Sequence, residues 1–202
     1  MTMTKDTNVQ CSVCGHVREP ETGKSEEQLM VCLGDGDNTT EISLQQLLDS
    51  ATEAEEAPDL QHCDRCSRHT SSQKITVIRK ESDTVVVLAN RTGWSTGGLK
   101  NNRRITFGQT ARLRVNTSSG STERPDYVLA GIGVHVGSSL QEGHWKAFVR
   151  DTGGTWASAN DSIITQVPWE VVCAQNPSIF VLEKRQPGGA AANPGIDVFR
   201  VL

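Results

Sequence analysis

The chain has 202 residues, of which 36% are hydrophobic and 4% aromatic, and a formal net charge of −4. That length fits one ordinary domain or one domain with an appendage, and the composition is lean in core residues without being that of a disordered chain. The overall charge gives no reason to expect a nucleic-acid surface, and no run approaches the roughly 20 apolar residues of a membrane span.

The charge is unevenly spread. Residues 1–60 carry 13 acidic and 3 basic side chains, whereas residues 61–202 carry 11 acidic and 17 basic. An acidic front on a mildly basic body suits a basic protein partner, or simply solvated acidic loops. The opening residues MTMTKDTNVQ hold no apolar leader, so a cytoplasmic or nuclear setting is expected. In such a reducing compartment, six cysteines read as metal ligands or free thiols before disulfides.

In chain order, residues 1–8 read as a frayed terminus. Cys11-Ser-Val-Cys14-Gly15 is a knuckle-type turn, and residues 27–33 are apolar enough for a strand. Residues 34–38, GDGDN, are a turn. Ser43 and Gln46 fit a capping box, with Leu44, Leu47 and Leu48 on one face, which predicts a short helix to about Ser50. Residues 51–59 are acidic and read as irregular or as a helix extension. Cys63-Asp-Arg-Cys66 is a second knuckle.

From Lys74 the periodicity becomes that of strands, in KITVIRK and TVVVLANR. Residues 93–102 are a Gly/Ser/Asn loop, ITFG and ARLRV are short strands, and residues 116–125 are a polar loop. YVLAGIGVHV, HWKAFVR, SIITQV and IFVLEKR are four more strands, and Pro168 opens a short helix through Ala174. The last residues, 186–202, are rich in Gly, Ala and Pro and read as a flexible tail. The expected fold is α+β, mostly antiparallel β, with two short helices and a metal-tied hairpin arm.

Cys11, Cys14, Cys63 and Cys66 form two CxxC pairs with 48 residues between them. Two such turns can complete a tetrahedron of thiolates around one Zn2+ ion. Four thiolates leave no open coordination position, so the role is structural, although a lost site or chance thiols would show the same spacing. Cys32 and Cys173 lie in apolar runs and read as small buried hydrophobes. Further on, Gly143-His144-Trp145 heads an apolar strand, and Asn160 and Asp161 follow about a hairpin later. A histidine with an amide or carboxylate at that distance is the base-and-orienter half of a cysteine-protease triad.

These pieces, in this order, resemble the ubiquitin-specific protease family over residues 9–185. The resemblance rests on the paired cysteines, on SLQQLLDSATEAEE between them, on ITVIRKESDTVVVLANRTGW and ITFGQTARLRV, and on a histidine box made by YVLAGIGVHVG and EGHWKAFVRD. Leu88 and Arg91 keep their places in it, while Trp94 is the nearest large aromatic, Gly108 stands where proline is usual and Trp145 where tyrosine is more usual. The resemblance implies a papain-like cysteine peptidase palm at 74–185, with zinc-tied fingers at 9–73. It implies His144 as catalytic base, Asn160 as orienter with Asp161 beside it, and His135, Gly143 and Trp145 along the channel for the substrate tail. Gly143 would permit close approach of a peptide backbone, or be a plain strand-end glycine. His16, His62 and His69 flank the knuckles as possible zinc neighbours.

The family's other half, the thumb, carries the nucleophile in an Asn-x-Cys box, and no such box occurs in the 202 residues. The expectation is therefore a partial deubiquitinase, a thiol-dependent ubiquitin hydrolase inactive by itself, from a longer coding sequence or as a degenerate copy. The other reading is a non-catalytic ubiquitin-binding module. Ubiquitin or ubiquitinated proteins are the implied partners. Nucleic acid fits poorly, because the knuckle segment is acidic.

Overall fold

Two features fix the frame: β-branched runs that must bury one face, and two cysteine turns that must meet. The computed structural model describes residues 3–18, 24–26, 28–33, 40–57, 59–80, 82–92, 100–116, 121–139 and 141–185. The elements begin with β1 (Met3–Cys11), β2 (Val17–Arg18), β3 (Lys24–Glu26), β4 (Gln28–Cys32), β5 (Ile42–Ser43), α1 (Leu44–Ser50), β6 (Ala54–Glu56), β7 (Gln61–Cys63) and β8 (Arg68–Thr70). Then come β9 (Ser72–Lys80), β10 (Thr84–Asn90), β11 (Ile105–Thr106), β12 (Thr110–Arg112), β13 (Val115–Asn116) and β14 (Thr122–Glu123). The series ends with β15 (Asp126–Val136), β16 (His144–Arg150), β17 (Trp156–Asn160), β18 (Ile163–Val167), α2 (Trp169–Cys173) and β19 (Ile179–Lys184).

These make an α+β fold dominated by antiparallel pairing. The larger sheet runs β18-β17-β16-β15-β19-β10-β4, with β12 also on β15. The smaller runs β2-β1-β9-β6, with β3 also on β1. Parallel pairing occurs between β4 and β10 and between β5 and β11. One face of the larger sheet carries the core: Leu29, Val31, Val85, Val87, Ile132, Val134, Phe148, Phe180 and Leu182 are all buried. Helix α1 lays Leu44, Leu47 and Leu48 into that core. Its capping box is present as expected: the Gln46 backbone N–H donates to the Ser43 hydroxyl, and the Ser43 N–H donates to the Gln46 side chain. Pro168 caps α2, as its sequence suggested.

Several expectations need correction. Residues 3–8 are not frayed; they belong to β1, held by β9 from Thr4 to Cys11 and by β3 at Met3–Lys5. Pairing supplies what the polar sequence lacks, and Met3 anchors the strand in the core at 1% exposure. Residues 54–56 are strand β6 and not a helix extension, because β9 offers them an edge. The division at 73/74 does not follow the sheets: β9 belongs to the smaller sheet, while β4, from the first part of the chain, is a strand of the larger one. The expected turn at 34–38 and tail at 186–202 lie outside the described residues, as does Trp94. Among the described residues, no helix is long and apolar enough to cross a membrane.

Candidate functional site

The first cluster is the cysteine quartet at the far end of the smaller sheet. Cys11 ends β1, and Cys63 ends β7. The residue after each second cysteine, Gly15 or Ser67, takes a left-handed backbone (φ 71° and 52°), which curls each knuckle back on itself. The Gly15 N–H donates to the Cys11 carbonyl, and the Ser67 hydroxyl to the Asp64 carbonyl. The four Sγ atoms lie within 4.8 Å of one another, with Cys11–Cys66 at 3.9 Å and Cys14–Cys63 at 3.7 Å. A tetrahedral zinc with bonds of about 2.3 Å places its sulfurs about 3.8 Å apart, so the donor set fits that ion.

The thiols also show the strain of crowding. A hydrogen bond from Thr70, with those from the Cys14 and Val13 backbone, holds the Cys11 thiol down to about 6. The neighbouring thiols, Cys14 first, push Cys66 up to about 12. Such a cluster resists carrying more than one negative charge until a dication compensates it. His16, His62 and His69 contribute no ligand to this group; His62 instead meets Asp64 at 3.2 Å and the His69 ring edge-on.

The second cluster sits at one end of the larger sheet. His144 is the first residue of β16, and Asn160 the last of β17. In the register Ala147↔Ala159, the two fall on one face as diagonal neighbours. The His144 Nε2 and Asn160 Oδ1 are directly hydrogen bonded. An amide oxygen only accepts, so Nε2 donates to it, and in the neutral ring this leaves the lone pair on Nδ1. That is the state a general base needs. Asp161 occupies the tight turn to β18 with φ 53°, and its carboxylate lies 3.9 Å from Nε2. At 79% side-chain exposure it is a solvated neighbour, not the primary partner. The structure therefore brings together all three residues that the sequence singled out. The strand that delivers Asn160 went unread, because Ala157, Ser158 and Ala159 carry little β signal.

Behind this pair lies a third group, made of the residues that the resemblance assigned to the substrate channel. His135 and Trp145 face one another across β15 and β16, rings 5.0 Å apart, on the opposite face from His144. His135 is buried and Trp145 exposed. Burial, with the Lys100 charge second, pushes the His135 imidazole below the ordinary histidine value and favours its neutral form. Gly143 is required by packing: a Cβ there would lie 2.2 Å from the His135 Nε2 and 2.7 Å from the Val136 carbonyl oxygen. Whatever approaches Gly143 from outside, the inside is already filled by a ring.

Two buried cations brace the region. Arg91 spends all five N–H donors on Ser178 Oγ, Asn176 Oδ1 and the carbonyls of Asn101, Arg103 and Pro177. Burial draws its guanidinium down to about 10. Lys100 donates to the His135 carbonyl at 2.7 Å and the Gly137 carbonyl at 3.1 Å. A lysine in a Gly/Ser/Asn-rich stretch gave no sequence signal of this role.

Cys32 and Cys173 are not the buried hydrophobes expected. Cys32 is exposed and Cys173 half-buried, its thiol donating to the Glu170 carbonyl. Cys32 points off the edge strand β4, four strands from β16, or about 19 Å at about 4.8 Å per strand. Of the tryptophans, Trp156 is core, packed on Trp169, while Trp145 stands at the rim.

Comparison with known proteins bears directly on this arrangement. The family model described as "Ubiquitin carboxyl-terminal hydrolase" matches residues 2–182. Among curated relatives, Arabidopsis thaliana ubiquitin carboxyl-terminal hydrolase 25 is 28% identical over 188 residues, covering 92% of this chain and 27% of the relative. Ubiquitin carboxyl-terminal hydrolase 23 of the same plant is 26% identical over 184 residues, covering 89% and 20%. The chain thus spans about a quarter of the length of these relatives. Among solved structures, it is similar to the SAGA DUB module of Ubp8, Sgf11, Sus1 and Sgf73 bound to monoubiquitin, with a TM-score of 0.74 and 23% identity over 91% of this chain and 40% of that one. A yeast SAGA DUB module gives a TM-score of 0.75 at 23% identity, over 91% and 41%. At these identities the structural likeness speaks for the fold.

Proposed function

This chain belongs to the ubiquitin carboxyl-terminal hydrolase family, and on that premise we propose that it forms the zinc-tied fingers and the palm of a cysteine-type deubiquitinase. In this reading it grips ubiquitin and supplies the base half of the catalytic apparatus, not the nucleophile. The observation that carries the proposal is the His144–Asn160 hydrogen bond, which leaves Nδ1 of His144 as the free base at the rim of the larger sheet. His144 Nδ1 takes the proton of a cysteine thiol. The thiolate attacks the carbonyl of ubiquitin's last glycine, and the isopeptide C–N bond breaks as His144 returns the proton to the departing lysine amine. A water deprotonated by His144 then cleaves the thioester to give the ubiquitin carboxylate and the free thiol. Asn160 holds the ring through these transfers, with Asp161 adding a weak field beside the imidazolium.

The nucleophile has no candidate among the six cysteines. Four are drawn into the quartet, Cys32 lies at the other edge of the sheet, and the Cys173 thiol bonds back into its own helix. On this reading the attacking sulfur is not supplied by these 202 residues, as expected of part of a longer product or of a degenerate copy. Gly143 precedes His144 in the chain, His135 and Trp145 lie on the other face of the same hairpin, and Trp145, 52% exposed, is the one of the three open to a ubiquitin tail. Cys11, Cys14, Cys63 and Cys66 would hold a Zn2+ ion, which would supply no chemistry of its own and would fix the tip of the smaller sheet. Six free thiols suit the cytoplasm or nucleus.

Two experiments test the proposal. Titration of 15N-labelled ubiquitin with the zinc-loaded chain is expected to shift ubiquitin resonances by high micromolar concentration; no shift there removes the ubiquitin-gripping role. A ubiquitin probe with a thiol-reactive C-terminus is expected to leave the chain unlabelled. Labelling at Cys32 or Cys173 would instead identify a nucleophile within it. A purely binding module is the second reading, and the intact His144–Asn160 pair favours the first.

A further inference from the structure

β15 outruns its neighbour. On one side it pairs with β16 as far as Val136↔His144, but on the other β19 reaches only Gly133↔Ile179. The last bond on that side runs from the Ser178 N–H to the Gly133 carbonyl. Carbonyls along a strand alternate in direction, so those of His135 and Gly137 face the same side as that of Gly133, where the sheet has ended. Left bare and buried, they would each cost the desolvation of an unpaired acceptor. The Lys100 Nζ sits there and donates to both. Its ammonium does the work of the missing strand.

The opposite end of the same hairpin is closed by shape. The imidazole of His135 fills the space beneath Gly143, and at Gly137 a Cβ would lie 2.5 Å from the Glu142 carbonyl oxygen. Both ends of the 137–143 connection are therefore fixed, one by an ammonium and the other by a ring. His144 follows immediately. It is the first residue of its strand, with a side chain 46% exposed and, among the described residues, Asn160 as its hydrogen-bond partner. A first strand residue with so little cover has no reason of its own to hold one ring position.

We infer that Lys100 and His135 are positioning residues for His144, a clamp behind the β15–β16 hairpin that determines whether the imidazole meets Asn160. Neither touches substrate or the reacting atoms. Lys100 holds the outgoing strand, His135 holds the incoming glycine, and the base is aimed by the backbone between them. The inference rests on the proposed role of His144 as base, but its test reads the His144–Asn160 contact itself. A chain that fails to bind ubiquitin would sink the proposed function and leave this one standing.

The test uses the zinc-loaded 202-residue chain with 13C- and 15N-labelled histidine. The readouts are 13C relaxation of the His144 ring Cε1–H and the NOE from that ring to the Asn160 β protons. The wild type is expected to show an ordered ring and the NOE. Lys100→Met is expected to lose the NOE and the ring order while the Phe148 and Phe180 signals keep theirs; Lys100→Arg, which retains donors, is expected to restore both. A folded Lys100→Met chain with NOE and ring order intact overturns the clamp, even if its thermal midpoint has dropped. Should Lys100→Met give no dispersed spectrum, His135→Ala decides on the same readout, and an unchanged His144 ring again overturns the inference.

Discussion

The two sheets of this molecule are held together by different physics. The larger buries an unbroken apolar face, with Phe180, Leu182, Val87 and Leu129 at 1% exposure or less. The smaller enters that core at one end, through Met3 and Ile78, and has little core of its own toward the other. Over its nine residues, β1 runs from buried Met3 to the metal-ligand candidate Cys11, about 27 Å at about 3.4 Å per residue. At the far end the quartet joins the two knuckles, with the Arg18 side chain donating to the His62 carbonyl beside it. A metal clip held by these four thiols would suit a region that stands away from the body, since a narrow two-sided ribbon cannot bury enough apolar surface to hold itself.

Removing the clip should give the largest effect and sharpen the contrast most. Structural zinc in finger peptides is worth on the order of 10 kcal/mol. Chelation, or Cys63→Ser, is expected to abolish zinc stoichiometry and strip amide protection from β1, β7, β8 and the start of β9. Protection in β15 and β19 should persist. If the two sheets lose protection together, the division into metal-held and core-held regions is wrong. The converse is Phe180→Ala, expected to cost about 3–5 kcal/mol by leaving a cavity at the centre of the larger sheet. Denaturant unfolding should show this loss with zinc still bound up to the transition.

Arg91 tests whether the core-held region depends on apolar contact alone. Five satisfied hydrogen bonds and a desolvated guanidinium join β10 to the segments at 101–103 and 176–178. Arg91→Leu is expected to destabilise by about 3 kcal/mol, since it leaves several buried acceptors unpaired. A loss below about 0.5 kcal/mol would mean that removing a buried charge offsets the lost bonds. Smaller again is Ser43→Ala, which removes one half of the capping box and should cost about 1 kcal/mol, read in the same unfolding experiment.

What the sequence disclosed follows the same division. Strands of the larger sheet announce themselves, because an apolar face needs Val, Ile and Phe at fixed spacing; β10, β15, β16 and β19 could be read directly. Helix α1 was legible through Ser43, Gln46 and three leucines. The cysteine spacing and the His144–Asn160 separation were legible because ligand and catalytic chemistry restrict residue type. The smaller sheet was not. The residues of β1 before Cys11 are polar, and β6 is acidic; both are strands because a neighbour supplies the hydrogen bonds, which no local pattern records. The sheets run across the 73/74 boundary for a topological reason, since the parallel β4–β10 pair laces an early segment into the late sheet. Lys100 was invisible because its task is set by where β19 stops.

The smallest expected change in stability is the one with the sharpest functional content. Asn160 is an exposed residue at a strand end, so Asn160→Ala should move the unfolding free energy by no more than about 0.5 kcal/mol. Asp161→Asn should do no more, its carboxylate being mostly in solvent. The two differ at His144. Asn160→Ala removes the acceptor hydrogen bonded to Nε2, so the ring loses its fixed orientation, whereas Asp161→Asn leaves that bond in place. Histidine ring relaxation is expected to separate the variants cleanly, with a mobile ring in the first and an ordered ring in the second. If Asp161→Asn releases the ring and Asn160→Ala does not, the roles are exchanged and the carboxylate is the orienter. A site that costs so little to dismantle is not there to stabilise the fold; its geometry is held by the sheet behind it, and what it offers is a free lone pair on Nδ1.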